Sequence, residues 1–287
     1  MFGFFKSKRN VQIKKDKKIK LALVLGGGGC RGIGHIGVLK AFDELGVDFD
    51  FIVGTSVGSI IGSLYAYGKT GAEIEQIVLG LKKRDIMGGG IPFVKPIKTE
   101  KIEKLLNEVF GDVKVFSELK KPLTIVCTDL KTGKEIDFNY GDVAKVVSAS
   151  CAVPGIFTPV KYDDMHLIDG GVRNNVPVDV AKKMGANVVF AVDVNHLRGT
   201  GTLSLSTTSV LSQTISIMMQ AKVDKTLELA DLIFKPSLEQ FSPLKFDNLE
   251  EMIEIGYNTV INNKDTILKM LSVKPNKIGK IFTKYES

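Results

Sequence analysis

The sequence predicts an α/β fold built on a parallel sheet. Buried-type apolar runs alternate with stretches of helical spacing, short glycine links join the two kinds, and neither a linker nor an internal repeat interrupts the 287 residues. IKLALVL (19–25) reads as a buried strand running into GGGGCRG. IGHIGVLKAFDELG (33–46) carries apolar residues at 33, 36, 38, 39, 42 and 45 and stops at a glycine, the signature of a helix with one buried stripe. FDFIV (49–53) is the second strand and VGSIIGSLYAYG (57–68) the second helix. Further strands follow at PLTIVCTDL (122–130), VVFAVDV (188–194) and DLIF (231–234). AEIEQIVLGLKKR and TEKIEKLLNEVF read as amphipathic helices, and residues 249–271 as a C-terminal helix or pair. Gly/Pro-rich 86–97 and polar 197–208 read as loops.

Composition narrows the function classes. A hydrophobic fraction of 44% and a charged fraction of 25% are ordinary for a globular chain. No run reaches the roughly 18 apolar residues of a transmembrane helix, and the N-terminus lacks the order of a secretory signal, because MFGFF precedes the lysines and no apolar segment follows. Cys30, Cys127 and Cys151 show no metal-type spacing and suggest a reducing, cytoplasmic compartment. Residues 1–20 hold eight Lys/Arg and one acid, Asp16, so this stretch carries the whole net charge of +7 and the remainder is balanced. A nucleic-acid-binding domain would carry its charge on a folded face, so none is expected. The division this suggests is a basic tail, 1–18, and one domain, 19–287.

Two glycine-rich seams stand where strands give way to helices. In GTSVG, Ser56 lies between Gly54 and Gly58. One reading is a tight turn; the other is a nucleophile elbow, in which a serine on a strained turn projects its oxygen from the top of a sheet. In GGGGCRG, the Gly27-x-Gly29-x-x-Gly32 spacing matches a dinucleotide fingerprint. The acids that would bind the ribose, Asp48 and Asp50, precede the second strand and so lie at the wrong end of the sheet. A phosphate-binding P-loop fails as well, because no Gly-Lys-Ser/Thr follows. The alternative is an oxyanion hole, with glycine backbone N–H groups turned to one point at a helix N-terminus. Loops after adjacent parallel strands open on the same face, so this loop and Ser56 are expected to face each other.

The serine needs a base. His35 lies among apolar residues of the first helix and reads as a core histidine; His166 lies in a short strand; His196 follows a strand end. The order Ser56, Asp169, His196 is compatible with a hydrolase triad. Asp169 in LIDGG also reads as an Asp-Gly turn. Composition and spacing leave these alternatives open.

LALVLGGGGCRGIGHIGVLKAF, GTSVGSIIGSLY, SASCAVPGIFTPV and LIDGGVRNNVPV together resemble, in order and spacing, the bacterial patatin-like phospholipases. The blocks span residues 21–178, and the similarity weakens beyond. The resemblance implies a three-layer α/β/α fold with a mainly parallel central sheet. It implies hydrolysis of lipid acyl esters by a Ser–Asp dyad, with neither metal nor organic cofactor. Carried over by position, Ser56 is the nucleophile and Asp169 the base. The backbone around Gly27, Gly28, Gly29 and Cys30 is the oxyanion hole, supported by Arg31, Gly32, Gly54, Gly58, Gly170 and Gly171. Arg31 takes the family's basic position, and Cys30 stands where small or aliphatic residues are common. AVPGIF is typical of the family, without a chemical role legible in the residues. A regulatory or scaffold protein on a degenerate hydrolase fold and a dinucleotide-binding oxidoreductase are the rival classes. Oligomeric state is not legible.

The tail MFGFFKSKRNVQIKKDKKIK reads either as a solvated basic leader or as an interfacial anchor on the inner face of a membrane. In the second case Phe2, Phe4 and Phe5 insert while the lysines face anionic head groups, each contributing about 1 kcal/mol near the surface. Deleting residues 2–18 is then expected to weaken binding to anionic vesicles at low salt and to leave turnover of a short soluble ester unchanged; equal vesicle binding by both forms would refute the anchor.

Overall fold

The computed structural model describes residues 19–81, 97–196 and 207–272. The tail 1–18 and nearly all of the two loops expected at 86–97 and 197–208 lie outside that range. The described residues build one eight-stranded sheet: β1 (Leu21–Leu25), β2 (Phe51–Thr55), β3 (Leu123–Asp129), β4 (Glu135–Phe138), β5 (Val160–Tyr162), β6 (Met165–Asp169), β7 (Val188–Val192) and β8 (Leu232–Phe234). Its order is β5-β6-β3-β2-β1-β7-β8, with β4 pairing β3 off that path. The central strands β3, β2, β1, β7 and β8 are parallel, whereas β4 and β6 run antiparallel to β3 and β5 antiparallel to β6.

Strand alternation separates two cores. Leu21, Leu23, Leu25, Ile52 and Phe190 point to one face; Ala22, Val24, Val53, Val189 and Ala191 point to the other. Helices cover both faces, because a parallel sheet has no solvated side. On the first face pack α1 (Gly34–Leu45), α2 (Val57–Tyr67), α3 (Gly71–Leu79), α4 (Glu100–Phe110), α5 (Val143–Ser150), α9 (Leu249–Ile261) and α10 (Lys264–Ser272). On the second lie α7 (Val178–Lys183) and the C-terminal part of α8 (Thr207–Leu227), with the short α6 (Gly171–Asn174) before them. This is the three-layer α/β/α arrangement that the resemblance implied.

The first core is anchored by aromatic rings. Phe42 of α1 meets Phe49 at 4.9 Å and Phe234 at 5.4 Å between centroids, both edge to face, and stacks on Phe190 at 6.0 Å. The acids before β2 are structural: the Leu21 N–H donates to Asp50 Oδ2 at 2.7 Å, and Asp48 pairs with Lys121. Both lie at the N-terminal end of the sheet, which removes the ribose-binding acid from the dinucleotide reading.

Several elements were not expected from sequence. β4, β5 and α5 are short, and α8 lacks a clean apolar stripe; α8 begins at Thr207, inside the stretch read as a loop. The crossing of α1 and α9 also depends on glycines. A methyl at Gly37 would lie 1.8 Å from the Ile253 carbonyl oxygen, and one at Gly256 2.0 Å from that of Gly34. Backbone stands on both sides, so neither contact yields without separating the helices. Gly37→Ala is therefore expected to lower stability by about 2 kcal/mol or more, whereas Gly80→Ala, exposed and at an ordinary φ of −73°, should change it by less than about 0.5 kcal/mol. Urea unfolding of the two variants checks the contrast.

Candidate active site

Ser56 is the residue between β2 and α2, and its backbone is in the left-handed region at φ 53°, ψ −129°. A non-glycine residue held there stores roughly 1–3 kcal/mol of strain. The flanking glycines exist for close approach. A methyl at Gly54 would lie 2.7 Å from the Gly58 carbonyl oxygen, and one at Gly58 2.1 Å from that of Leu25. The turn is thus pressed against both its own helix and the end of β1. Ser56's carbonyl accepts the Ser59 N–H at 2.8 Å and the Ser59 hydroxyl at 2.6 Å, starting α2. Its N–H donates to Ser150 Oγ at 2.9 Å, and that hydroxyl donates to the Val126 carbonyl at 2.7 Å.

The base candidate reaches this turn on an antiparallel strand. Asp169 pairs with Cys127, one step beyond the Thr55–Val126 pair, so β6 delivers it to the row of Ser56. The Ser56 side chain stands close enough to the Asp169 carboxylate to favour its ionised form, and the Gly171 N–H donates to Asp169 Oδ1 at 2.7 Å. Gly170 has no room for a side chain, since a methyl there would lie 2.1 Å from the Val126 carbonyl oxygen. The Asp169 N–H donates to the Ala152 carbonyl at 3.0 Å. Ser56 is 7% and Asp169 5% exposed. Burial pushes the Asp169 carboxyl up to about 6, against the opposing pull of its bonds from Ser56 and Gly171. Protonated serine and a carboxylate that titrates near neutrality can exchange one proton over a single hydrogen bond.

The glycine loop lies opposite, across β1. Asn175 clamps it: the Gly27 N–H donates to the Asn175 carbonyl at 3.1 Å, and Asn175 Nδ2 donates to the Gly27 carbonyl at 3.2 Å. One residue earlier, the Asn174 carbonyl accepts the Thr55 hydroxyl at 3.0 Å. The Cys30 N–H donates to the Pro243 carbonyl at 2.9 Å. The N–H groups of Gly27 and Cys30 are therefore engaged, and among the described residues the backbone N–H groups of Gly28 and Gly29 have no acceptor. Gly29 adopts φ 56° and leads into a 3-10 turn, Gly29–Ile33, with the N-terminus of α1 behind it. In that turn a methyl at Gly32 would lie 2.1 Å from Cγ1 of Val57, the residue after Ser56, so this glycine lets the loop close against the elbow.

Two cavities meet at Ser56 and Gly29. One, of about 160 Å³, is walled almost wholly by apolar side chains, among them Ile33, Ile60, Val78, Ile102, Leu106 and Phe157. The other, of about 110 Å³, adds polar groups from Asp169, Asn175, Asn195 and Ser216. Its far wall is α8, through Ile215, Ser216 and Met219. Val153 and Ile156 of the AVPGIF segment line both.

The remaining sequence candidates are braces. Each nitrogen of Arg31 donates: Nε to the Phe241 carbonyl at 2.8 Å, Nη1 to Asn195 Oδ1 at 2.9 Å and Nη2 to the Glu239 carbonyl at 3.2 Å. His196 sits with Nδ1 3.3 Å from the Asp193 carbonyl and Nε2 2.9 Å from Glu239 Oε1, an ion-pair distance without hydrogen-bond alignment. Neither contact leads toward Asp169. His166 is exposed. His35 is fully buried, with Nε2 2.8 Å from the Gly26 carbonyl. Among the described residues, no group of three or more His, Cys, Asp or Glu is arranged to hold a metal ion. Sequence reasoning missed Ser150, Asn174 and Asn175; the signal was present as a serine ending SAS and a doubled asparagine after the DGG turn.

The model of the patatin-like phospholipase family matches residues 23–182. The chain is 30% identical over 271 residues to patatin-like phospholipase domain-containing protein 6 of Mus musculus, covering 83% of this chain and 20% of that protein. It is 28% identical over 270 residues to lysophospholipase nte1 of Aspergillus fumigatus, covering 83% of this chain and 18% of that protein. The chain thus spans about a fifth of the length of these relatives. Among solved structures, VipD from Legionella pneumophila shares the fold at a TM-score of 0.57, with 15% identity and coverage of 93% of this chain and 72% of that one.

The buried His35 gives the core a solution readout. Burial lowers its pKa to about 4, and its bond to Gly26 opposes that only in part. In an NMR titration the His35 ring is expected to stay neutral, protonated at Nε2, from pH 8 down to about pH 5. Folding then takes up no proton there while the unfolded chain does below about pH 6.5, so this residue's contribution to stability is intact above that pH and falls as the pH drops toward 4.

Proposed function

The chain belongs to the patatin-like phospholipase family, and we propose that it is a serine acyl hydrolase acting on lipid esters, with Ser56 as nucleophile and Asp169 as base. One observation carries the reading: a serine on a left-handed turn, beside a buried carboxylate, stands where an apolar cavity meets a polar one. The apolar cavity suits an acyl chain and the polar one a head group or leaving alcohol.

The steps follow from the geometry. The Ser56 oxygen attacks the ester carbonyl as its proton passes to Asp169. The N–H groups of Gly28 and Gly29 receive the negative charge that develops on the carbonyl oxygen; one such donor contributes about 3 kcal/mol to transition-state stabilisation. Asp169 returns the proton to the leaving alcohol. A water then gives its proton to the same carboxylate and attacks the acyl-Ser56 ester; the Ser56–acyl bond breaks as Asp169 passes that proton to the Ser56 oxygen, and the fatty acid leaves. No step calls for a metal or organic cofactor. The raised pKa of Asp169 makes it a far better base than a free carboxylate at neutral pH.

Single-chain phospholipids are a fitting substrate class, as the name of the lysophospholipase relative indicates for that protein. We assign the hydrolase domain to residues 19–287 and give the basic stretch 1–20 the task of reaching an anionic membrane surface on the cytoplasmic side. No described helix is long and apolar enough to cross a membrane.

Ser56→Ala should abolish fluorophosphonate labelling and lower kcat on a lipid panel by at least about 10³-fold with the fold intact. Asp169→Asn should lose nearly as much, while His166→Ala and His196→Ala keep most activity. Asp169 must be ionised to accept the proton, so wild-type kcat/KM should fall as the pH drops through about 6. Full turnover by Ser56→Ala, or a folded but inactive His196→Ala, would refute the assignment.

A further inference from the structure

We propose that Ser150 is the positioning residue for the Ser56 nucleophile: it holds the strained turn in the rotation that aims the Ser56 oxygen at Asp169 and the cavities. The inference rests on the hydrolase reading above. Val126 is the last β3 residue in register with β2, opposite Thr55, so the sheet ladder between these strands ends at the turn. The Ser56 N–H, carried out of the ladder by its positive φ, donates to Ser150 Oγ at 2.9 Å. The same hydroxyl donates to the Val126 carbonyl at 2.7 Å. Ser150 is the last residue of α5 and is fully buried, so water cannot take its place.

The segment reaches the base too. Two residues on, the Ala152 carbonyl accepts the Asp169 N–H at 3.0 Å. Nucleophile and base are therefore tied to one three-residue stretch, Ser150–Ala152, through the backbone of each. Without the Ser150 hydroxyl, a buried N–H and a buried carbonyl both lose their partner. Relaxing the turn relieves the backbone strain and gives the N–H a route to another acceptor. That motion swings the Ser56 oxygen away from Asp169. A displacement of about 1 Å at a reacting atom costs on the order of 10²-fold in rate.

Ser148 supplies the control. It is fully buried on the same helix, but its hydroxyl donates to the Lys145 carbonyl at 2.8 Å, within the helix. The experiment measures kcat, KM and the pH profile on a short soluble ester for wild type, Ser148→Ala, Ser150→Ala and Ser150→Cys, each with its Tm. Ser150→Ala should lower kcat by about 10- to 100-fold with KM within about 3-fold, while Ser148→Ala keeps kcat within about 3-fold. The acid limb of Ser150→Ala should move to higher pH, because the Ser56 bond is one of the contacts holding the Asp169 carboxyl down. Ser150→Cys keeps the volume with a weak hydrogen-bonding group, and should show the same loss and shift in a folded protein even if Ser150→Ala does not fold. Ser150 variants with wild-type kcat and acid limb, or equal losses in the Ser148 and Ser150 variants, would overturn the positioning role and leave the hydrolase reading standing. A wild-type protein that neither labels nor hydrolyses esters would overturn both.

Discussion

The left-handed backbone of Ser56 is the constraint around which the candidate site is built. A side chain at φ 53° is disfavoured, and the chain keeps it there by contacts that leave no slack. Gly54 and Gly58 let α2 and the end of β1 close on the turn to within the reach of a single methyl group. Ser59 takes up its carbonyl and Ser150 its N–H. Strain at this point is useful because it lifts one oxygen clear of the sheet, into the place where two cavities join.

The second requirement is a carboxylate at the same height. A parallel strand arriving beside β3 would carry its C-terminal residue out with the other loops. An antiparallel strand instead starts above the sheet and runs back into it, so that Asp169 finishes level with Ser56 and under cover. Cover raises its pKa, and the bonds from Ser56 and Gly171 keep the rise moderate. The outcome is a buried carboxyl whose pKa lies at about 6, near neutral pH, while the three histidines lie elsewhere: His35 in the core, His196 between Asp193 and Glu239, and His166 at the surface.

Asparagines 174 and 175 join the parts. Through backbone and side chain they bind Thr55, before the nucleophile, and Gly27, at the start of the glycine loop. They follow directly on the turn that carries Asp169, so Asp169, Ser56 and the glycine loop share one short stretch of chain as their common frame. The glycine loop uses Gly27 and Cys30 for attachment, which leaves the N–H groups of Gly28 and Gly29 for the oxyanion role proposed above.

What the sequence by itself determined is everything written in local periodicity and in glycine spacing. The central strands, α1 and α2, the seams at Ser56 and at the glycine loop and the exclusion of a ribose-binding acid were legible, because each is decided within about ten residues; whether GTSVG is a plain turn or an elbow was not. The resemblance added Asp169, which local reasoning had left as a turn residue. Tertiary structure decided the rest. The direction of β6 depends on pairing with β3, some forty residues earlier in the chain, and no local pattern encodes it. α8 was invisible because Ser, Thr, Ile and Met follow one another without a stripe; among its described side chains Val223 and Leu227, at the C-terminal end, join the core on the sheet, and Ile215 and Met219 wall the polar cavity. Ser150 and Asn175 look like ordinary polar residues until the fold places the buried N–H of Ser56 beside one and that of Gly27 beside the other. A hydrogen bond between residues 94 or 148 positions apart has no signature in either segment; only the need to satisfy every buried donor brings them into the site.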